Sequence, residues 1–302
     1  MPDVQTSHLQ LIKPNTIFTM YIVNSDFNLD YTLDCGQVFR WKRTGEWWEG
    51  VVCGHVIRTR QVEGVLEVQT GLSRDRIREY FRLDDDMQKI YDTINRDAVM
   101  DRLVRQYRGL HVIRQQPWEC LISYMASSCK SIPNIKDSIS NLCIQYGEDL
   151  GGHYSFPDPE ILSQTTEQLL RQTKLGFRAG NILEVAKLVE RGELDLEVPF
   201  ELEYDEAKRL LMKVRGIGPK IADCVLLFAY DKLEAFPADT HILSVMQEHY
   251  GRYLAGPKNK AQDVISEFAR SYFGPYAGYA QQYLYYSRIS SDSSLPVHCG
   301  KL

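Results

Sequence analysis

The run V-R-G-I-G-P-K-I-A-D-C, residues 214–224, sets a lone lysine behind a glycine-rich turn. Lys220 and Cys224 are four apart, so on a helix they share one face. Nineteen residues past Lys220, the stretch F-P-A-D-T-H-I (236–242) places Asp239 as the cap of the helix H-I-L-S-V-M-Q. An amine and a carboxylate so spaced have two readings. They can form a plain salt bridge, or a lysine held partly away from water can act as an amine nucleophile toward a sugar carbon. Gly216 and Gly218 both permit positive φ and leave backbone N–H groups bare at the start of the second helix, where Pro219 suits the first position. Such a helix start is an anion site, and a DNA phosphate fits it. An ordinary turn between two helices is the alternative.

The elements that must carry these residues follow from periodicity. Residues 205–214 and 219–230 read as helices, and the R-G-I-G between them is too short for anything but a tight helix-turn-helix. Earlier in the chain the pattern is β. V-F-R-W-K (38–42), W-W-E-G-V-V (47–52), V-I-R-T-R (56–60) and V-L-E-V-Q-T (65–70) are short, aromatic or β-branched, and parted by glycine turns. Q-V-E-G-V (61–65) reads as a hairpin loop, giving an antiparallel sheet of about four or five strands. From about residue 73 the period turns helical: 73–81, 86–94, a mostly apolar helix over 119–128, then 135–143, 167–173 and 181–189. The expected fold class is α+β, an N-terminal antiparallel β-sheet domain followed by an all-helical one. The boundaries expected are 1–107 for the β domain with its helices, 108–290 for the helical domain and 291–302 for a tail, with S-S-D-S-S-L (290–295) read as loose.

Bulk properties narrow the class. The 302 residues are 44% apolar and 25% charged, as in soluble globular chains. No run approaches 18 apolar residues, and the N-terminus M-P-D-V-Q-T-S-H lacks a signal-peptide layout, so residence inside the cell is expected and no membrane partner. Seven cysteines are scattered without a C-x-x-C pair, which argues for free thiols, no disulfide framework and no metal or other cofactor; His298-Cys299 reads as tail. The net charge of −5 is unlike that of many nucleic-acid-binding domains. Local patches do the binding, however, and R-Q-Y-R (105–108), K-L-G-F-R (174–178) and M-K-V-R-G-I-G-P-K (212–220) offer basic ones.

The hairpin followed by A-F-P-A-D-T-H resembles the helix-hairpin-helix Gly/Pro-Asp superfamily of DNA glycosylases, and within it the 8-oxoguanine DNA glycosylases. C-G-Q-V-F-R-W (35–41), Y-F-R-L-D (80–84), P-W-E-C-L-I-S-Y-M-A-S-S (117–128), L-G-F-R-A (175–179) and Y-A-G-Y-A-Q-Q-Y-L-Y (276–285) fall in family order. The resemblance implies a monomer that works on double-stranded DNA containing 8-oxoguanine, in base excision repair, as both glycosylase and abasic-site lyase. It implies roles as well. Lys220 would form the Schiff base at C1′, and Asp239 would stabilise positive charge there. Cys224 and Tyr285 would stack on the two faces of the flipped base, Tyr285 standing where the family has Phe. Gln281 would bond its Watson–Crick edge, and the Gly36 carbonyl would accept from N7–H, the proton that guanine lacks. His241 would lie near the 5′ phosphate, Phe177 at the aromatic wedge, and Arg178 against the orphaned cytosine. Taken singly, Phe177 and Tyr285 read as ordinary aromatics, Gly36 as a strand-turn glycine and Gln281 as an exposed polar residue.

One loop departs from the family pattern. Where three asparagines and then an arginine are usual, this chain reads S-S-C-K-S-I-P-N-I (127–135). Cys129 replaces the hole-filling asparagine, Lys130 follows it, and Asn134 replaces an arginine that contacts the opposite cytosine. Three rivals differ in what they require. Alkylation-base glycosylases use water and have no need of Lys220. Iron–sulfur relatives carry four cysteines near the C-terminus, where this chain has only Cys299. A non-catalytic hairpin module has no use for Lys220, Asp239, Gln281 and Gly36 together.

Overall fold

Three hairpin turns join the last four strands of the sheet. Cys53–Gly54 and Glu63–Gly64 all take positive φ, as two-residue turns with the twist of their flanking strands require. In the computed structural model, which describes residues 17–254 and 261–291, the strands are β1 (Phe18–Val23), β2 (Lys42–Thr44), β3 (Trp47–Val52), β4 (His55–Val62) and β5 (Val65–Thr70). All pair antiparallel, in the order β1-β5-β4-β3-β2. Ile22, Ile57, Leu66 and Val68 face inward, while Arg60 pairs with Glu67 at 2.8 Å on the solvent side.

The strand expected over 38–42 is mostly absent. Only Lys42 enters β2, and Val38, Phe39 and Trp41 bury their side chains from a bent connection. Their apolar alternation reflects burial between two cores, not a ladder. The fifth strand is instead β1.

The helices are α1 (Leu29–Asp34), α2 (Arg74–Phe81), α3 (Met87–Ile94), α4 (Ala98–Gln106), α5 (Pro117–Ser127), α6 (Ile132–Tyr146), α7 (Pro159–Ser163) and α8 (Glu167–Leu170). They continue as α9 (Ala179–Glu190), α10 (Val198–Glu201), α11 (Tyr204–Met212), α12 (Pro219–Ala229), α13 (Thr240–Tyr250), α14 (Ala261–Phe273) and α15 (Ala277–Ser291). Ser73, Asp86 and Asp97 cap α2, α3 and α4 through their side chains. Helix α15 takes in Ser290 and Ser291, the first residues expected to be loose; the rest of the tail, with His298 and Cys299, lies outside the described residues.

The described residues form two apolar cores. One joins the inner sheet face to Ile77, Phe81 and Leu83. The other is helical and reaches back to Met87, Ile90, Met100 and Leu103, so α3 and α4 pack with the helices although they precede residue 107. Helix α5 runs through this second core, its residues Cys120–Ser127 buried all round, and packs on α12. Between the cores, Arg82 is buried and bonded to Asp231, which also accepts from Arg114 at 2.9 Å. Among the described residues no helix is long and apolar enough to cross a membrane.

Candidate active site at the helix-hairpin-helix

The turn between α11 and α12 is shaped by two glycines for different reasons. Gly216 takes φ +92°, and a Cβ there would lie 2.6 Å from Asn181 Nδ2 and 2.9 Å from Asn181 Cβ on α9. Both facts exclude a side chain. Gly218 corrects the expectation of positive φ at both glycines. It is extended (φ −90°, ψ 177°), serves as N-cap of α12, and nothing lies within 4 Å of where its Cβ would be. Its missing side chain leaves the backbone open to an approaching anion. Ile217 between them is buried and pins the turn to the helical core, with Lys213 and Arg215 exposed beside it. The other basic stretches are more committed: Arg105 pairs with Asp101, Arg108 with Asp26, and Lys174 with Asp137.

Lys220 and Cys224 lie on the buried side of α12, half-buried and buried respectively. Lys220 forms no ion pair with Asp239 among the described residues. Its Nζ donates to Ser127 Oγ at 3.3 Å and stands 5.4 Å from the Tyr124 ring. Ser127 gives its own proton to the Tyr124 carbonyl at 2.7 Å, so its oxygen faces the lysine as an acceptor. Asp239 caps α13, its Oδ1 accepting from Ile242 N at 2.9 Å. Both charged groups bear on Cys224. Burial pushes that thiol up to about 12, the Lys220 charge pulls it down and the Asp239 charge pushes it further up. A thiol so placed stays protonated at neutral pH, offering a polarisable surface and not a nucleophile.

Gly36 follows α1 and takes φ +79°; a Cβ there would lie 3.1 Å from Tyr285 Cε1 and 3.2 Å from Ile132 Cδ1. This places Gly36 directly against Tyr285. The Tyr285 ring meets His241 edge-on at 5.9 Å, and burial, then the Asp239 charge, raise its hydroxyl above the usual range. Gln281 is buried, not an exposed polar residue, and its Nε2 donates to the Pro237 carbonyl, two residues before Asp239, at 3.1 Å. Lys220, Asp239, Cys224, Tyr285, Gly36, His241 and Gln281 therefore form one cluster.

A second cluster lies across the α5–α6 loop. Cys129 is exposed, with φ +52°. Lys130 Nζ donates to Ser138 Oγ at 2.5 Å and to the Lys174 carbonyl at 2.7 Å; burial, then the neighbouring Arg178 charge, bring it down to about 8. Phe177 is 64% exposed and carries the Arg178 guanidinium over its ring at 4.2 Å. Arg178 is itself buried, with Nη1 donating to the Leu175 carbonyl at 3.2 Å and Nε without a hydrogen-bond partner among the described residues. Asn134 is exposed on the first turn of α6. Sequence reasoning gave no role to Ser127 or Tyr124, which seat Lys220. The motif 117–128 was their only signal, because the contact crosses from α5 to α12.

Comparison with known proteins was made against this geometry. The profile for the 8-oxoguanine DNA glycosylase N-terminal domain matches residues 20–121. An Arabidopsis thaliana protein, "N-glycosylase/DNA lyase OGG1", is 28% identical over 92% of this chain and 82% of its own length. A Methanothermobacter thermautotrophicus protein described as "Probable N-glycosylase/DNA lyase" is 30% identical over 88% of this chain and 95% of its own. The Clostridium acetobutylicum 8-oxoguanine glycosylase/lyase, solved with DNA containing cytosine opposite 8-oxoguanine, superposes with a TM-score of 0.82 at 30% identity, over 91% of this chain and 98% of that one. With the hairpin, its lysine and the capping aspartate in one cluster, and this likeness running nearly end to end, the chain belongs to the 8-oxoguanine DNA glycosylase/lyase family of the helix-hairpin-helix Gly/Pro-Asp superfamily.

Proposed function

We propose that this protein flips 8-oxoguanine out of duplex DNA, excises it through a covalent adduct at Lys220, and cuts the strand by β-elimination. Lys220 gives up a proton to solvent and its amine attacks C1′, the bond from C1′ to the base breaks, and the base leaves with the electron pair and takes up a proton. Ring opening gives a Schiff base, loss of a C2′ proton to water expels the 3′ phosphate, and hydrolysis frees the lysine. Asp239 supplies negative charge where positive charge develops at C1′. Cys224 and Tyr285 flank the extruded base, and Gly36 accepts from its N7–H. Extrusion costs a few kcal/mol, which stacking and a wedge such as Phe177 offset. The hairpin start at Gly218 takes a backbone phosphate, with His241 near the 5′ phosphate.

The observation that carries this reading is a lysine without an ion-pair partner among the described residues, close to a buried thiol and a helix-capping aspartate. A water-using glycosylase has no use for that lysine. Borohydride trapping on duplex containing 8-oxoguanine tests it. The parent protein is expected to cross-link and to nick the strand, while Lys220→Gln binds the same duplex without trapping. Trapping that persists in Lys220→Gln would sink the mechanism.

A further inference from the structure

Gln281 is engaged at both ends of its carboxamide. Besides the Pro237 contact, its Oε1 accepts from Gln282 Nε2 at 2.6 Å. Gln282, 3% exposed, accepts at its own Oε1 from the Cys35 thiol at 3.4 Å. The Cys35 sulfur in turn receives Gln37 Nε2 at 3.2 Å, and its single S–H is shared with the Thr32 carbonyl at 3.4 Å.

The direction of this chain follows from its far end. The Pro237 carbonyl can only accept, so Gln281 must turn its NH2 toward it. The Gln281 oxygen then faces Gln282, which must present NH2 there and its oxygen to Cys35. Cys35 must therefore donate. Burial pushes its thiol up to about 12, so the proton is present at physiological pH. A primary amide has two N–H bonds and two lone pairs on oxygen. Gln281 commits one N–H and one lone pair inside the protein, and keeps one of each in a set order.

We propose that Cys35 and Gln282 are positioning residues that hold the Gln281 amide in the polarity the Pro237 carbonyl sets, restricting the base pocket to purines with an oxygen at C6 and a hydrogen at N1. The proposal rests on the reading that Gln281 meets the flipped base. 8-Oxoguanine presents O6, an acceptor, beside N1–H, a donor. 8-Oxoadenine presents the reverse, an amino donor beside the N1 acceptor. An amide of set polarity that satisfies the first pair faces the second with donor against donor and acceptor against acceptor. An amide free to turn over serves either. Neither the Gly36 carbonyl nor the two stacking residues can make this distinction, because both lesions carry N7–H and both stack.

The test is the ratio of single-turnover excision rates for 8-oxoguanine and 8-oxoadenine, each opposite cytosine. Gln282→Met keeps the volume but removes the donor to Gln281, and should lower the ratio roughly tenfold, as loss of one anchoring hydrogen bond implies. The fall should come chiefly from a rise in the 8-oxoadenine rate, with duplex affinity unchanged. Cys35→Ala should move the ratio the same way, and Cys35→Ser, which keeps a donor, should hold the parent value. The Cys35 pair decides alone where Gln282→Met does not fold. If Gln281→Ala lowers the ratio but Gln282→Met and Cys35→Ala leave it unchanged, the relay is wrong and the pocket reading survives. Equal loss of both rates would mean a packing role and overturn the proposal. An unchanged ratio in Gln281→Ala would remove the pocket reading and the relay together.

Discussion

Asp239 has two tasks for one side chain, and they can be separated. As the cap of α13 it needs only an oxygen that accepts from Ile242 N, and an amide oxygen serves as well. As a partner for a cationic sugar it needs charge. Asp239→Asn should therefore keep its stability within about 0.5 kcal/mol while excision falls roughly 10²–10³-fold. Thermal unfolding and single-turnover kinetics on one preparation check this, and a variant of normal activity would refute the electrostatic role. Residue types at this scale were legible because a lysine, a capping aspartate and paired glycines carry their chemistry with them. The separate reasons for Gly216 and Gly218 were not legible. One depends on Asn181 of another helix, the other on open space.

The α5–α6 loop and the turn carrying Phe177 act together as elements. Arginine presents a planar fork of donors to cytosine, and Asn134, exposed on α6, is shorter and uncharged. Losing one such contact is worth about 1–3 kcal/mol of discrimination, roughly ten- to a hundredfold. The expected outcome is excision of 8-oxoguanine opposite cytosine with a weakened preference over adenine, guanine or thymine. Single-turnover rates for the four opposite bases decide it, and a preference above about a thousandfold would show the argument wrong. Lys130 is the replacement donor within reach in sequence, but its Nζ is tied to Ser138 and the Lys174 carbonyl. If it serves, Lys130→Met lowers the cytosine preference, and the parent's own preference fades as pH rises through about 8, where this ammonium gives up its proton. Helices such as α2 and α3 were legible from periodicity; their caps, Ser73 and Asp86, were not read. The connection 38–41 was not, because buried residues in a bend mimic the alternation of a strand.

At the scale of the whole molecule, the clamp between the two cores positions α12 from its far end. Burial pushes the Asp231 carboxyl up, but the Arg114 hydrogen bond and the Arg82 charge outweigh it and hold the group below the usual carboxylate range. Asp231→Asn leaves the buried Arg82 short of a charge partner. With Asp231 42% exposed, the buried-pair penalty is discounted to about 1–3 kcal/mol of lost stability. The sign with pH follows from the lowered native value. The contribution is fully present above about pH 4, the unfolded value, and is lost as pH falls through the native one. Denaturant midpoints of parent and variant should therefore converge in acid; a gap that persists there would exclude the carboxylate as its source.

The sequence by itself determined the β-then-helix plan, the Q-V-E-G-V hairpin, the helix-turn-helix and the cap at Asp239, since each rests on contacts within a few residues. Only the tertiary structure decided that Ser127 of α5 seats Lys220 of α12, that Gly36 touches Tyr285, and that α3 and α4 pack with the helical core. Those pairings join residues tens to hundreds of positions apart. Local pattern carries no information about which buried faces meet, because burial rewards apolar area without naming its partner.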